Sequence, residues 1–99
     1  MTTEPITFSI VDDDAGLRDS IVRYLTAQGG FVCVGQYGRA QDALARLPTE
    51  SPAVVLMDIK MKGMDGIECV RRLKEKMPEI LVIMLTVFDD DDLIFDALM

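Results

Sequence analysis

The sequence predicts a layered α/β fold around a parallel sheet, and two observations carry that reading. Short aliphatic runs alternate with stretches whose apolar residues recur every three or four positions, the order of successive strand and helix units. Two runs, Ala53–Met57 and Ile80–Leu85, are apolar without alternation, which marks strands covered by helices on both faces. With 99 residues, the chain is expected to be one domain spanning 1–99.

The elements follow in order. Ile6–Val11 reads as the first strand. Asp14 is placed to cap the helix Ala15–Gln28, whose Leu17, Ile21, Tyr24 and Leu25 share one face, and Gly29-Gly30 stops it. Phe31–Tyr37 is the second strand, less deeply buried on one face, as expected near a sheet edge. Arg39–Leu47 turns Ala40, Ala43, Leu44 and Leu47 inward, and Pro48 ends that helix. After the third strand, Ala53–Met57, Gly63 and Gly66 bracket a turn. Ile67, Val70, Leu73 and Lys74 then carry a helix to Met77-Pro78. Ile80–Leu85 is the fourth strand, and Asp89–Asp92 opens a last helix in which Leu93, Ala97 and Leu98 recur at helical spacing. Carboxylates suit the positive end of a helix dipole.

Composition excludes several classes. A net charge of −7, no histidine and no basic run argue against nucleic-acid binding by this domain. The longest apolar runs fall far short of the about 20 residues a membrane helix needs, and Met1–Pro5 lacks a basic leader. Cys33 and Cys69 lie among apolar residues, outside any Cys-x-x-Cys pair. They read as reduced packing thiols, and a cytoplasmic location follows. The methionines read as gap-filling residues.

In open parallel sheets, ligands sit at the carboxyl ends of the strands. The first strand delivers Asp12 and Asp13 there, the third Asp58 and the fourth Thr86. Like charges raise one another's pKa, so three gathered carboxylates call for a counter-ion. Oxygen-only ligation suits magnesium, which favours one or two carboxylates plus a phosphate, and a carboxylate can itself accept a phosphoryl group. Alone, an Asp at a strand end is as readily a helix cap; three Asp residues and Thr86 at three strand ends outweigh that reading. Asp14 reads as a cap, and Asp89–Asp92 as a solvated helix start.

Ile10–Asp14 (IVDDD), Val54–Gly66 (VVLMDIKMKGMDG) and Val82–Thr86 (VIMLT) together resemble the receiver domain of two-component response regulators. The resemblance runs from Ile6 to Met99. It implies a flavodoxin-like three-layer fold with strand order 2-1-3-4, and a signalling switch rather than an enzyme with a separate substrate. It implies Asp58 as phospho-acceptor and Thr86 as the switch hydroxyl. Magnesium would be ligated by Asp13, Asp58 and the Lys60 backbone carbonyl, with Asp12 acting through water. Choosing Asp12-Asp13 over Asp13-Asp14 as the acidic pair puts Arg18 at the family's spacing. The phosphodonor would be a phosphohistidine on a sensor histidine kinase. The FDDDDLIFDAL stretch is most similar to regulators with a C-terminal helix-turn-helix, which points to transcription as the output.

Lys62 stands where the family usually has proline, and Val87 where it usually has a small residue; Val87 and Lys60 are expected to tune access to the phosphoryl group. The family's lysine and switch aromatic belong to a fifth strand, which is expected to be absent with its fifth helix; Lys74 and Lys76 precede Thr86 and cannot replace that lysine. Ile80–Leu85 would then be an edge strand, and the sheet face beside Ala15–Gln28 partly bare, so self-association is expected. Two rivals remain. A haloacid-dehalogenase-like phosphatase also uses a strand-end Asp, but needs a second acid where this chain has Lys60. A pseudo-receiver would bind partners without phosphorylation.

Overall fold

The computed structural model describes residues 4–85. It contains β1 (Ile6–Val11), α1 (Ala15–Ala27), β2 (Phe31–Tyr37), α2 (Ala40–Glu50), β3 (Val54–Asp58), α3 (Gly66–Lys76) and β4 (Leu81–Leu85). Every strand pair is parallel and the order is β2-β1-β3-β4. The chain therefore reverses its direction of travel across the sheet between β1 and β3. Loops leaving those two strands diverge and open a crevice at their carboxyl ends.

Side chains alternate across each strand, and the core divides accordingly. Val11, Val55 and Met57 join Ala43, Leu47, Cys69 and Leu73 on the face covered by α2 and α3. Phe8, Ile10 and Leu56 face the other way, where Ile21, Val22 and Leu25 of α1 pack on them. Cys69 is buried and Cys33 half-buried, both as free thiols. Burial pushes the Cys69 thiol up to about 11, which keeps it protonated.

Three expectations need correction. Tyr24 is 67% exposed, and Val22 takes its place in the packed stripe. A helix turns by about 100° per residue, so a stripe centred on Ile21, Val22 and Leu25 leaves Tyr24 about 110° from its middle. Pro48 does not end α2, which runs on to Glu50. Proline lacks the N–H that would bond the carbonyl four residues back, and the Lys76 ammonium donates to that Leu44 carbonyl instead, at 3.4 Å. The helix then closes at Ser51, in the left-handed conformation with φ 50° and its N–H on the Leu47 carbonyl. The fourth strand is not covered on both faces: Leu81 and Ile83 are 57% and 48% exposed. They share the α1 side of the sheet with Leu56, against which Ile83 pairs, and of β4 it is Leu85 that packs against the cluster of Phe8, Ile10 and Leu56.

The expected helix after Asp89–Asp92, with Leu93, Ala97 and Leu98, lies outside the described residues. So do Thr86 and Val87. Among the described residues, no helix is long and apolar enough to cross a membrane.

Candidate functional site

Asp12 follows the last residue of β1 and is 1% exposed. Its N–H donates to the Tyr37 carbonyl at the end of β2, 2.9 Å away, which continues the strand pairing one residue into the loop. Its Oδ1 accepts from the Asp14 N–H at 2.9 Å. The Arg18 guanidinium donates to the Asp12 carbonyl at 2.6 Å and ties α1 to the acidic turn. Asp14 caps α1, its Oδ1 accepting the Leu17 N–H at 3.0 Å, so the capping reading of this residue holds.

Asp58 is the last residue of β3, beside Leu85 of β4, and 5% exposed. Its Oδ1 accepts the Lys60 N–H at 3.2 Å. Asp13 is exposed, and its Oδ2 accepts the Lys62 N–H at 3.2 Å. One carboxylate oxygen from each of Asp12, Asp13 and Asp58 lies within 4.8 Å of the other two.

Gly66, the first residue of α3, sets the back of this crevice. Its N–H donates to the Ile59 carbonyl at 2.8 Å. A β-carbon there would stand 2.0 Å from the Asp58 carbonyl oxygen. The approach that seats α3 against the end of β3 therefore excludes any larger residue. Asp65 caps α3 by accepting the Glu68 N–H at 2.8 Å. Sequence reading assigned Gly63 and Gly66 to the turn and missed this cap, although an Asp with Glu three positions on is a recognisable helix start.

Electrostatics mark the cluster as incomplete by itself. Burial, followed by the negative charge of Asp12, raises the Asp58 carboxyl to about 6. Burial also raises Asp12. The Asp12 Oδ2 is buried without a hydrogen-bond partner. Ionised carboxylates only accept, so these oxygens cannot satisfy one another. A hard divalent cation fits this donor set and the orphaned oxygen together.

The raised Asp58 pKa sets a pH dependence for the cation-free protein. The native state holds the Asp58 proton more tightly than the unfolded chain does, so stability falls as pH rises toward about 6. Acidifying from about pH 7 to about pH 5 should add about 1 kcal/mol through this group. Urea unfolding at both pH values, with Asp58→Asn as reference, checks this: the gain on acidification should be smaller by that amount in the variant.

The family model described as the response regulator receiver domain matches residues 8–99. The chain belongs to the response regulator receiver domains. Among curated relatives of this receiver, the response regulator protein VraR of Staphylococcus aureus is 36% identical over 88 residues, which cover 89% of this chain and 42% of that protein. The receiver thus spans less than half the length of the curated relatives it matches. Its fold is shared by solved structures, two of which illustrate the likeness. The response regulator domain of CheB from Thermotoga maritima superposes with a TM-score of 0.79 at 26% identity, covering 96% of this chain and 72% of that one. A LuxR-family DNA-binding response regulator from Staphylococcus aureus gives 0.76 at 28% identity, covering 94% and 78%. The flavodoxin-like sheet order 2-1-3-4 is thus that of a receiver, a regulatory domain whose acidic pocket is of the kind that generally binds magnesium.

Proposed function

We propose that this receiver is a phosphorylation-dependent switch that accepts a phosphoryl group on Asp58 from a phosphohistidine of a sensor histidine kinase. The observation that carries the proposal is the burial of Asp58 at the end of a central strand, with Asp12 and Asp13 carboxylate oxygens within 4.8 Å. Asp13, Asp58 and the Lys60 backbone carbonyl would hold magnesium directly, with Asp12 acting through water. When bound, magnesium offsets the negative charge of the transferring group.

The chain's own residues do the rest. Asp58 attacks phosphorus through one carboxylate oxygen while the Lys60 N–H orients the other. A P–O bond forms and the donor's P–N bond breaks. The electron pair leaves with the imidazole nitrogen, which takes up a proton. The product is an acyl phosphate on Asp58. Thr86 turns its hydroxyl to the phosphoryl group and starts a change of shape, read as a population shift. Val87 and Lys60 tune the access of the water that later hydrolyses it. The output is transcription, through a domain beyond the receiver, in the cytoplasm.

Incubation with acetyl phosphate and magnesium, then borohydride reduction and peptide mapping, tests the reading. The label should sit on Asp58. Label on Asp12 or Asp13 overturns the mechanism, and no label at all returns the domain to a phosphorylation-independent interaction module. Cation binding has its own check. Asp13→Asn should weaken magnesium binding on the order of ten-fold, about 1.4 kcal/mol, in a calorimetric titration. Equal affinities would remove Asp13 from the ligand set.

A further inference from the structure

Each carboxylate of the cluster accepts one main-chain N–H. Asp12 takes that of Asp14 and Asp58 that of Lys60, both two residues on and therefore local turns. Asp13 is different. Its donor is the N–H of Lys62, 49 residues away in the loop between β3 and α3. This loop is not free to drift. The Met61 side chain is 8% exposed and sits in the core under α2 and α3, and Gly63 turns the chain at φ 83° directly after Lys62.

We infer that the Lys62 backbone amide is a positioning group for Asp13, holding that exposed carboxylate toward Asp12 and Asp58 before a cation arrives. The inference rests on the cation-binding reading above and deepens it. Asp13 would otherwise lose side-chain freedom on binding a cation, and a carboxylate already ordered loses less. One N–H occupies one oxygen of Asp13 and leaves the other for a ligand bond. The bond also joins the loop after β1 to the loop after β3, so it ties the two walls of the crevice together. The Lys62 side chain takes no part in it. Position 62 is where the resemblance expects proline, which has no N–H to donate.

The distinction between amide and side chain makes the test specific. Magnesium is titrated by calorimetry into wild type, Lys62→Ala and Lys62→Pro, each melted without the cation. Lys62→Ala keeps the amide and should bind like wild type. Lys62→Pro deletes it and should raise the Kd roughly three- to ten-fold, the worth of one net hydrogen bond, with a melting temperature close to wild type. Equal affinity in the proline variant overturns the inference, and so does an equal loss in the alanine variant. If Lys62→Pro does not fold, amide exchange decides: the Lys62 N–H should exchange faster in Asp13→Ala than in wild type, and equal rates overturn the inference. Wild type that takes up no magnesium fails the cation reading itself, a result distinct from unequal binding among the variants.

Discussion

Asp58→Asn is expected to abolish phosphoryl uptake and, in the same protein, to raise the melting temperature of the cation-free chain. The two effects have one cause. Asp58 is 5% exposed and its carboxyl is raised from 3.8 to about 6 by burial and by Asp12. At neutral pH the folded protein therefore carries a charge that the unfolded chain holds more cheaply. A displacement of about two pKa units corresponds to about 3 kcal/mol, and partial relaxation reduces what a variant recovers. Asparagine keeps the shape, removes the charge and brings an NH₂ that can donate to the orphaned Asp12 Oδ2. A gain of about 2 kcal/mol, or several degrees in Tm, is the expected result. Magnesium should stabilise wild type more than the variant. Retained phosphorylation would remove Asp58 as acceptor. A lower Tm would show that the carboxylate is already satisfied within the fold.

Gly66→Ala should be the most damaging single methyl group in the described structure. Its β-carbon would meet the Asp58 carbonyl oxygen at 2.0 Å and the Ile59 Cα at 2.9 Å. Both are main-chain atoms, so no side-chain rotation relieves the clash. Either α3 withdraws, uncovering Cys69 and Leu73, or the end of β3 shifts and carries Asp58 with it. Overpacking typically costs 1–3 kcal/mol, and a contact this close with rigid backbone belongs at the upper end, about 3 kcal/mol. Gly63→Ala is the natural comparison. There φ is 83° and nothing lies within 4 Å of the added carbon, so only backbone strain of about 1 kcal/mol remains. Urea unfolding of both variants, with unchanged m-values, measures the difference. Phosphoryl uptake should fall sharply in Gly66→Ala and little in Gly63→Ala. Equal destabilisation of the two would mean that α3 yields without cost and that the close approach does not position Asp58.

Most of the architecture was legible because it is periodic and local. The unbroken apolar run at Ala53–Met57 marks a covered strand, and Ile6–Val11 reads as a strand from its aliphatic run, whereas the division of Phe8 and Ile10 from Val11 between the two faces is seen in the packing. Strand ends follow from where the apolar run stops, so the placing of Asp12, Asp13 and Asp58 on one rim followed as well. Their pairing with magnesium follows from charge, since gathered carboxylates call for a counter-ion, and from oxygen-only ligation, which suits that ion. The order 2-1-3-4 came from resemblance and not from any residue pattern.

Only the tertiary structure decided the rest, because each feature depends on a neighbour distant in the chain. Pro48 is a helix breaker by local rule, and α2 passes it because the Lys76 ammonium supplies a donor from α3 to the Leu44 carbonyl. Ile83 reads as core, and is half exposed because α1 lies over β1 and the edge strand β2, on the far side of the sheet from β4. The spacing of Tyr24 fits an inward face equally well until the partner surface fixes which way α1 is turned. Gly66 reads as a turn residue until the backbone it touches is seen. The sequence marks position 62 only as a departure from proline, and which carboxylate its N–H meets is decided across the fold. A residue's type settles what chemistry it can offer, whereas the partner it meets across the fold settles whether that chemistry is used.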